Sequence, residues 1–297
     1  KGKSRYAIFE QSMNRRARVR LQTEIDLRRA LEQDEFTVYY QPVVELETGR
    51  VIELEALVRW EHPERGLVQP ADFIPVAEES GLILPLGEWV LREACKQVRI
   101  WQKAQRGTSP LLTLSVNLSG RQFKHPGLVE DIKAILRETE FSPYCLKLEI
   151  TESVALDNTE ATIATLNALR SLGIHIAIDD FGTGYSALSY LKKYPVDTLK
   201  LDRSFVDGLG HDPEDTAIVH AVIAFAKTLN LSVTAEGIET AEQLTQLQAL
   251  GCDWGQGYYF ARPMPSDTLQ ALLQGETRWG SQQWCVLPRK MTPASAL

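Results

Sequence analysis

The chain has 297 residues, of which 44% are hydrophobic and 24% are charged, and its formal net charge is −7. A chain of this length and composition can bury a substantial core in one large domain or two modest ones, and wholesale disorder is not expected. The negative net charge argues against DNA binding by the surface as a whole. A phosphate ligand could still bind where local cationic side chains or bound metal ions are present.

The four cysteines and five histidines are scattered along the chain, with no C-x-x-C spacing. This pattern predicts neither a disulfide framework nor a zinc cluster. No apolar run approaches the ~20 residues of a membrane helix, and no signal peptide is visible. We therefore expect a cytoplasmic piece of a longer protein, without membrane contact by this part.

The first 60 residues predict a linker, a helix and a β-hairpin. Residues 1–20 are strongly basic and favour a solvated linker helix, with a basic arm for anionic partners as the alternative. An amphipathic helix is expected at 21–31. Residues 36–46 and 51–60 are strand-like, and the short turn at 47–50 contains Gly49, so the two strands should pair antiparallel.

After the hairpin, helical and strand-like segments alternate. Helices are predicted at 87–104, 128–139, 159–172, 214–229 and 241–250, and strands at 112–118, 146–151, 175–181, 198–202, 232–238 and 255–260. Such repeats indicate a mainly parallel sheet, and the total of about eight strands predicts a (β/α)8 barrel. An open doubly wound sheet is the alternative, although no Gly-rich phosphate loop follows the first strand. Residues 279–297 lose this periodicity and are interpreted as a tail, leaving a domain at 21–278.

Polar residues concentrate where the predicted strands end, which is the edge that carries the active site in a barrel. Nearly every strand contributes a carboxylate, an amide or an amine: Glu55, Asn117, Glu149, Glu152, Asp179, Asp180, Lys200, Asp202, Glu236 and Gln256. Each residue alone is more often a cap, a turn residue or a surface ion pair. The set together is much harder to explain in that way.

Buried carboxylates that converge repel one another and lose hydration, at a cost of about several kcal/mol each. Divalent cations would neutralise them, and ligation by oxygen alone favours Mg²⁺ or Mn²⁺. Two ions about 3.5–4 Å apart would suit displacement at phosphorus. The loop at 179–186 contains two glycines and could move with a ligand or a neighbouring subunit; an ordinary βα turn is the alternative.

These motifs, in the order in which they occur along the chain, resemble those of the EAL family. The resemblance is carried by Glu55-Ala56-Leu57 and its extension to Trp60, and by segments 40–42, 115–119, 149–153, 179–184, 200–202, 235–239 and 256–258. It covers about residues 20–275, and residues 1–20 resemble the end of a GGDEF domain. It implies a modified TIM barrel with an antiparallel first strand, and hydrolysis of cyclic di-GMP to linear pGpG with Mg²⁺ or Mn²⁺.

The resemblance also implies roles for individual residues. One metal ion would be bound by Glu55, Asn117, Glu149 and Asp179. Asp180 would hold a second ion, with Asp179 shared between the two. Glu236 would act as a ligand or proton acceptor, and Lys200 would orient the attacking water and stabilise developing charge.

Substrate binding is implied for Gln41, Leu57 and Arg59, and Gln256 would support the ligand or a water molecule. Glu152 would anchor the loop after Asp180, and that loop would connect to a homodimer interface. An upstream sensory or GGDEF module is implied as well.

Two other functions stay open at this point. The domain could be a receptor that binds cyclic di-GMP without cleaving it, although a receptor has no need for the complete ligand set. It could also be a metal-independent glycosidase that uses two carboxylates. The lysine and the asparagine within the polar set argue against that second alternative.

Overall fold

The structure is a computed structural model that describes residues 11–104, 111–155, 157, 159–182 and 194–274, with side chains from residue 18 onward. Our predictions for residues 1–10, for the loop at 183–186 and for the tail at 279–297 lie outside the described residues. Residues 11–20 belong to a helix that continues past residue 21.

The strands of the described residues form one sheet that closes on itself. They are β1 Phe36–Glu45, β2 Val51–His62, β3 Gly66–Val68, β4 Thr113–Leu118, β5 Leu146–Thr151, β6 His175–Phe181, β7 Thr198–Leu201, β8 Ser232–Ala235, β9 Trp254–Gly255 and β10 Met264–Pro265. The order is β10-β1-β9-β8-β7-β6-β5-β4-β2-β3, and β1 also pairs with β2. The eight strands β1, β2 and β4 to β9 therefore make a closed barrel.

The first strand runs against the other seven strands of the barrel. β1 pairs antiparallel with β2 and with β9, whereas β2, β4 and the following strands through β9 pair parallel. The predicted hairpin and the predicted barrel with an antiparallel first strand are both confirmed. The register of the hairpin sets Gln41 opposite Glu55.

Helices fill the connections between strands. They are α1 Gln11–Glu32, α2 Pro70–Ser80, α3 Ile83–Ala104, α4 Gly120–Phe123, α5 Leu128–Thr139, α6 Glu152–Ala155, α7 Glu160–Ser171, α8 Arg203–Gly208, α9 Pro213–Thr228, α10 Ala241–Leu250 and α11 Ser266–Gln274. Local signals set their ends: Thr240 forms a capping box with Gln243, and Gly251 ends α10 in the left-handed region. None of the helices in the described residues is long and apolar enough to cross a bilayer.

The barrel separates an apolar layer from a polar interior. Leu114, Leu146, Ile176 and Leu199 are completely buried in the layer between strands and helices. Their neighbours along the strands have the opposite orientation, because side chains alternate across a strand. Contacts between non-adjacent strands show that this second set meets inside the barrel, as when Lys200 of β7 reaches Glu149 of β5.

Several short elements differ from the sequence-based expectation. The strand predicted at 255–260 is wrong, because only Trp254 and Gly255 pair and the chain then turns. The turn packs tightly, since a Cβ atom on Gly257 would lie 2.1 Å from the carbonyl oxygen of Ile238. Helices α2, α4, α6, α8 and α11 and strands β3 and β10 were not predicted. The elements α4, α6, α8, β3 and β10 carry too few residues to show a clear period, and Pro75 inside α2 argues against a helix there.

Candidate metal centre

Four carboxylates from different strands surround one ammonium group at the carboxyl end of the barrel. The Nζ atom of Lys200 lies 2.6 Å from Glu149 Oε2, 2.7 Å from Glu236 Oε1, 3.2 Å from Asp179 Oδ1 and 3.8 Å from Glu55 Oε2. The side chains of Lys200 and Glu149 are 3% and 0% exposed, so this cluster is largely withdrawn from water. The predicted convergence of these residues is therefore present in the structure.

The Glu55 carboxylate is held by two amide side chains. Asn117 Nδ2 donates to Oε1 at 2.7 Å, and Gln256 Nε2 donates to Oε2 at 2.6 Å. Gln256 Nε2 also donates to Gln41 Oε1 at 2.9 Å, and Gln41 in turn donates to the carbonyl oxygen of Ala261. The amides orient the carboxylate without neutralising its charge, which leaves Glu55 suited to bind a cation.

A bulge in β6 presents two adjacent carboxylates. The pairing of β6 with β7 shifts between Ile178 and Phe181, and Asp180 has a φ of 54°. In a regular strand Asp179 and Asp180 would face opposite sides, whereas a bulge can re-aim one of them. Their carboxylate oxygens and one from Glu236 lie within 4.8 Å of one another, which is close enough to hold a metal ion.

Burial makes the charges of this cluster costly. Desolvation, reinforced by Glu55 and Asp179, raises the pKa of Glu149 well above its ordinary value although Lys200 opposes the shift. Desolvation likewise raises the pKa of Glu236 to about 7. Burial by itself would lower the pKa of Lys200, but the surrounding carboxylates outweigh it and raise that pKa. Without a bound cation, the carboxylates around Lys200 therefore carry more negative charge than the single ammonium group of Lys200 can balance.

The available ligand atoms fit a hard divalent cation. Glu149 Oε1 and Gln256 Oε1 are buried and accept no hydrogen bond from the described residues. Buried oxygens of this kind normally have a partner, which here can be a metal ion or its bound water. The oxygens come from carboxylates and amides, the ligands that Mg²⁺ and Mn²⁺ prefer.

The other predicted site residues lie around this cluster. The Glu152 carboxylate accepts a hydrogen bond from the backbone N–H of Gly182 at 3.0 Å, directly after the bulge. Arg59 is mostly buried, its Nη1 donates to the carbonyl oxygen of Val58, and its guanidinium lies 5.5 Å from the Tyr39 ring. Leu57 is half-buried. None of these three residues belongs to the cluster around Lys200.

A second buried ion pair was missed by the sequence analysis. Lys147 Nζ lies 2.5 Å from Glu53 Oε2, both side chains are 4% exposed, and the ammonium is 4.2 Å from the centre of the Trp254 ring. Each residue stands two positions before a predicted ligand, Glu149 or Glu55, and therefore on the same face of its strand. The two-residue period of side chains along each strand is the sequence signal that could have identified this pair.

Comparison with known proteins gives the family. The EAL domain profile matches residues 24–263. The chain belongs to the EAL domain family. It is 47% identical over 270 residues to the bifunctional diguanylate cyclase/cyclic di-GMP phosphodiesterase MucR of Pseudomonas aeruginosa, an alignment that covers 91% of this chain. It is 41% identical over 266 residues to the cyclic di-GMP phosphodiesterase PdeR of Escherichia coli, covering 89% of this chain.

A solved EAL structure matches the fold closely. The c-di-GMP complex of the phosphodiesterase PaMucR has a TM-score of 0.80 and 46% sequence identity, and the match covers 84% of this chain and 99% of that one. The chain spans only 39% of the length of MucR and of PdeR. The comparison therefore covers the EAL domain and leaves the rest of those relatives without a counterpart here.

Proposed function

We propose that this EAL domain hydrolyses cyclic di-GMP to linear pGpG with a divalent cation. The observation that carries the proposal is the convergence of Glu55, Glu149, Asp179 and Glu236 on Lys200 at the carboxyl end of the barrel. The names of MucR and PdeR, which describe cyclic di-GMP phosphodiesterases, support the same substrate.

The ligand atoms divide into two groups. Glu55, Asn117, Glu149 and Asp179 would hold one Mg²⁺ or Mn²⁺ ion, and Asp180 would hold a second together with Asp179. Bound ions of this kind lower the pKa of coordinated water and stabilise charge on phosphoryl oxygens.

The remaining polar groups serve the substrate and the proton. Glu236, with a pKa of about 7, can accept a proton at its carboxylate near neutral pH. Lys200 Nζ stays protonated and offers donors to an attacking water and to a developing phosphoryl charge. The Arg59 guanidinium suits a phosphate oxygen, and Gln41, Leu57 and Gln256 would contact or support the ligand.

Turnover by purified protein tests the proposal. Incubation of cyclic di-GMP with Mg²⁺ or Mn²⁺ should yield pGpG, measured by chromatography. Glu55→Ala should lower kcat by on the order of 10³-fold, since the metal supplies several kcal/mol of stabilisation. Glu61→Ala, an exposed residue of the same strand, is the matched control and should behave as wild type. Tight binding without product, with either ion, would instead establish a receptor.

We also propose that residues 21–278 act as the phosphodiesterase domain of a longer cytoplasmic signalling protein. Residues 1–20 would connect it to an upstream sensory or GGDEF module, residues 279–297 would form a tail, and the domain would act as a homodimer. The greater length of MucR and its description as a diguanylate cyclase support the upstream module. Sedimentation with and without cyclic di-GMP tests the dimer.

A further inference from the structure

A cavity opens at the end of the barrel opposite to the metal centre. It has a volume of about 620 Å³, which lies within the range of about 300–1,000 Å³ that is typical of small-molecule sites. Residues at or next to the first position of the parallel strands line it, among them Thr113, Lys147, His175, Thr198 and Ser232. The metal centre lies where the same strands finish, and the proposed hydrolysis uses none of the residues of this cavity.

The floor of the cavity holds the buried pair of Lys147 and Glu53. Both side chains are 4% exposed, and Lys147 Nζ lies 2.5 Å from Glu53 Oε2. The two atoms attract each other but are not aligned for a hydrogen bond, so the buried ammonium has no hydrogen-bond acceptor among the described residues. Such a group is uncommon, because it bears the cost of its lost hydration. The ammonium therefore points to a ligand that supplies an acceptor at the floor.

The rim of the cavity carries a second set of opposite charges, which is more accessible. Arg170 Nη2 lies 3.6 Å from Asp197 Oδ1, and His175 Nδ1 lies 3.7 Å from Asp197 Oδ2. The side chains of Arg170 and His175 are about half exposed, and all three residues line the cavity. A guanidinium has five N–H donors, so Arg170 can bind a ligand and remain close to Asp197.

These paired charges select against a charged ligand. An anion that approached Lys147 would also meet the Glu53 carboxylate, and a cation would meet the ammonium. A hydroxyl group suits both members of the pair, because it accepts a hydrogen bond from the cation and donates one to the carboxylate. The same argument applies to Arg170 and Asp197 at the rim. A neutral ligand with several hydroxyl groups therefore matches the floor and the rim together.

The remaining walls suit the carbon skeleton of such a ligand. Trp254 lines the cavity with a half-buried indole ring, and Ile52, Val196 and Leu231 add aliphatic side chains. Aromatic and aliphatic walls favour the burial of C–H groups. A sugar ring combines C–H groups on its faces with hydroxyl groups around its edge, which is the combination that this cavity can accommodate.

We propose that this cavity binds a neutral sugar of one or two rings. The sugar hydroxyl groups accept hydrogen bonds from Lys147 and Arg170 and donate to Glu53 and Asp197, and a ring packs against Trp254. The site lies at the far end of the barrel from the metal centre, so binding requires neither a divalent cation nor cyclic di-GMP.

Calorimetry and thermal unfolding in EDTA, without cyclic di-GMP, test the proposal. The probes are D-glucose, D-ribose, maltose and trehalose, and D-glucose 6-phosphate is the charged counterpart of glucose. We expect at least one neutral sugar to bind with a Kd of about 1 mM or lower and to raise the melting temperature. The proposal is overturned if none of the four binds at about 100 mM, or if glucose 6-phosphate binds more tightly than all four.

Variants at the rim place the bound sugar in the cavity. Arg170→Gln should weaken binding by about 10-fold or more, because hydrogen bonds from a charged group are lost. Arg92→Gln is the matched control and should leave the Kd unchanged, since Arg92 also pairs with an exposed carboxylate, Glu138, but does not line the cavity.

A third variant separates this site from the metal centre. Asp180→Asn, at the opposite end of the barrel, should bind the sugar as the wild type does. Equal affinities in Arg170→Gln and Arg92→Gln, or loss of sugar binding in Asp180→Asn, would refute the assignment. None of these measurements depends on turnover, so failure of the proposed hydrolysis would leave the result for the sugar site unchanged.

Discussion

Replacement of Lys200 by methionine removes the only ammonium within 4 Å of the Glu149 carboxylate among the described residues. At 2.6 Å and an effective dielectric constant of about 20, their attraction is about 6 kcal/mol before desolvation is subtracted. Breaking a buried pair by removing one partner costs about 3–5 kcal/mol, since the other charge stays buried. For a domain of this size the melting temperature should fall by about 6–20 °C.

The fall in melting temperature of Lys200→Met should depend on whether a divalent cation is present. Without the ammonium, the cluster gains one net negative charge, so divalent cations should stabilise Lys200→Met more than they stabilise the wild type. We therefore expect thermal unfolding in EDTA to show the full loss, and unfolding in Mg²⁺ or Mn²⁺ to show only part of it. Turnover should be lost under both conditions.

Lys147→Met is the matched control for this experiment. Lys147 is as buried as Lys200, but its partner is Glu53 at the opposite end of the barrel interior. We expect a similar loss of stability from this variant, with no additional rescue by divalent cations. If Lys200→Met melts with the wild type in EDTA, or if cations rescue both variants equally, the account of the metal centre is wrong.

Two further changes test the surroundings of the site. Glu152→Gln weakens the hydrogen bond that the Glu152 carboxylate accepts from the Gly182 N–H, and it should lower kcat. Divalent cations should still stabilise this variant in thermal unfolding. Loss of that stabilisation would show that Glu152 helps to hold metal. Burial raises the pKa of Asp197, but the nearby His175 and the Ile176 N–H, which donates to Asp197 Oδ2 at 2.9 Å, outweigh it and lower that pKa. The stabilisation from Asp197 is therefore present above its unfolded pKa of about 3.9 and disappears as pH falls through the folded pKa. Asp197→Asn should therefore cost about 1 kcal/mol in urea unfolding at pH 7 and progressively less as the pH falls below about 3.9, and a difference that does not change with pH would exclude this explanation.

The plan of the barrel and most of the candidate centre can be predicted from the amino-acid sequence alone. The turn around Gly49 and the strand–helix repeat are local patterns, and a period of two residues identifies the strand face that Glu55, Glu149 and Lys200 share. Because parallel strands end at the same edge, residues far apart in the chain could be assigned to one site before any contact was known.

The contacts among those residues depend on how the barrel closes. Lys200 touches four carboxylates because closure of the barrel brings β2, β5, β6 and β8 around β7. The bulge at Asp180 and the pairing of Lys147 with Glu53 depend on register and on packing between distant segments. Local periodicity indicates which strand face Lys147 and Glu53 occupy, but the closed sheet sets which residues on that face meet.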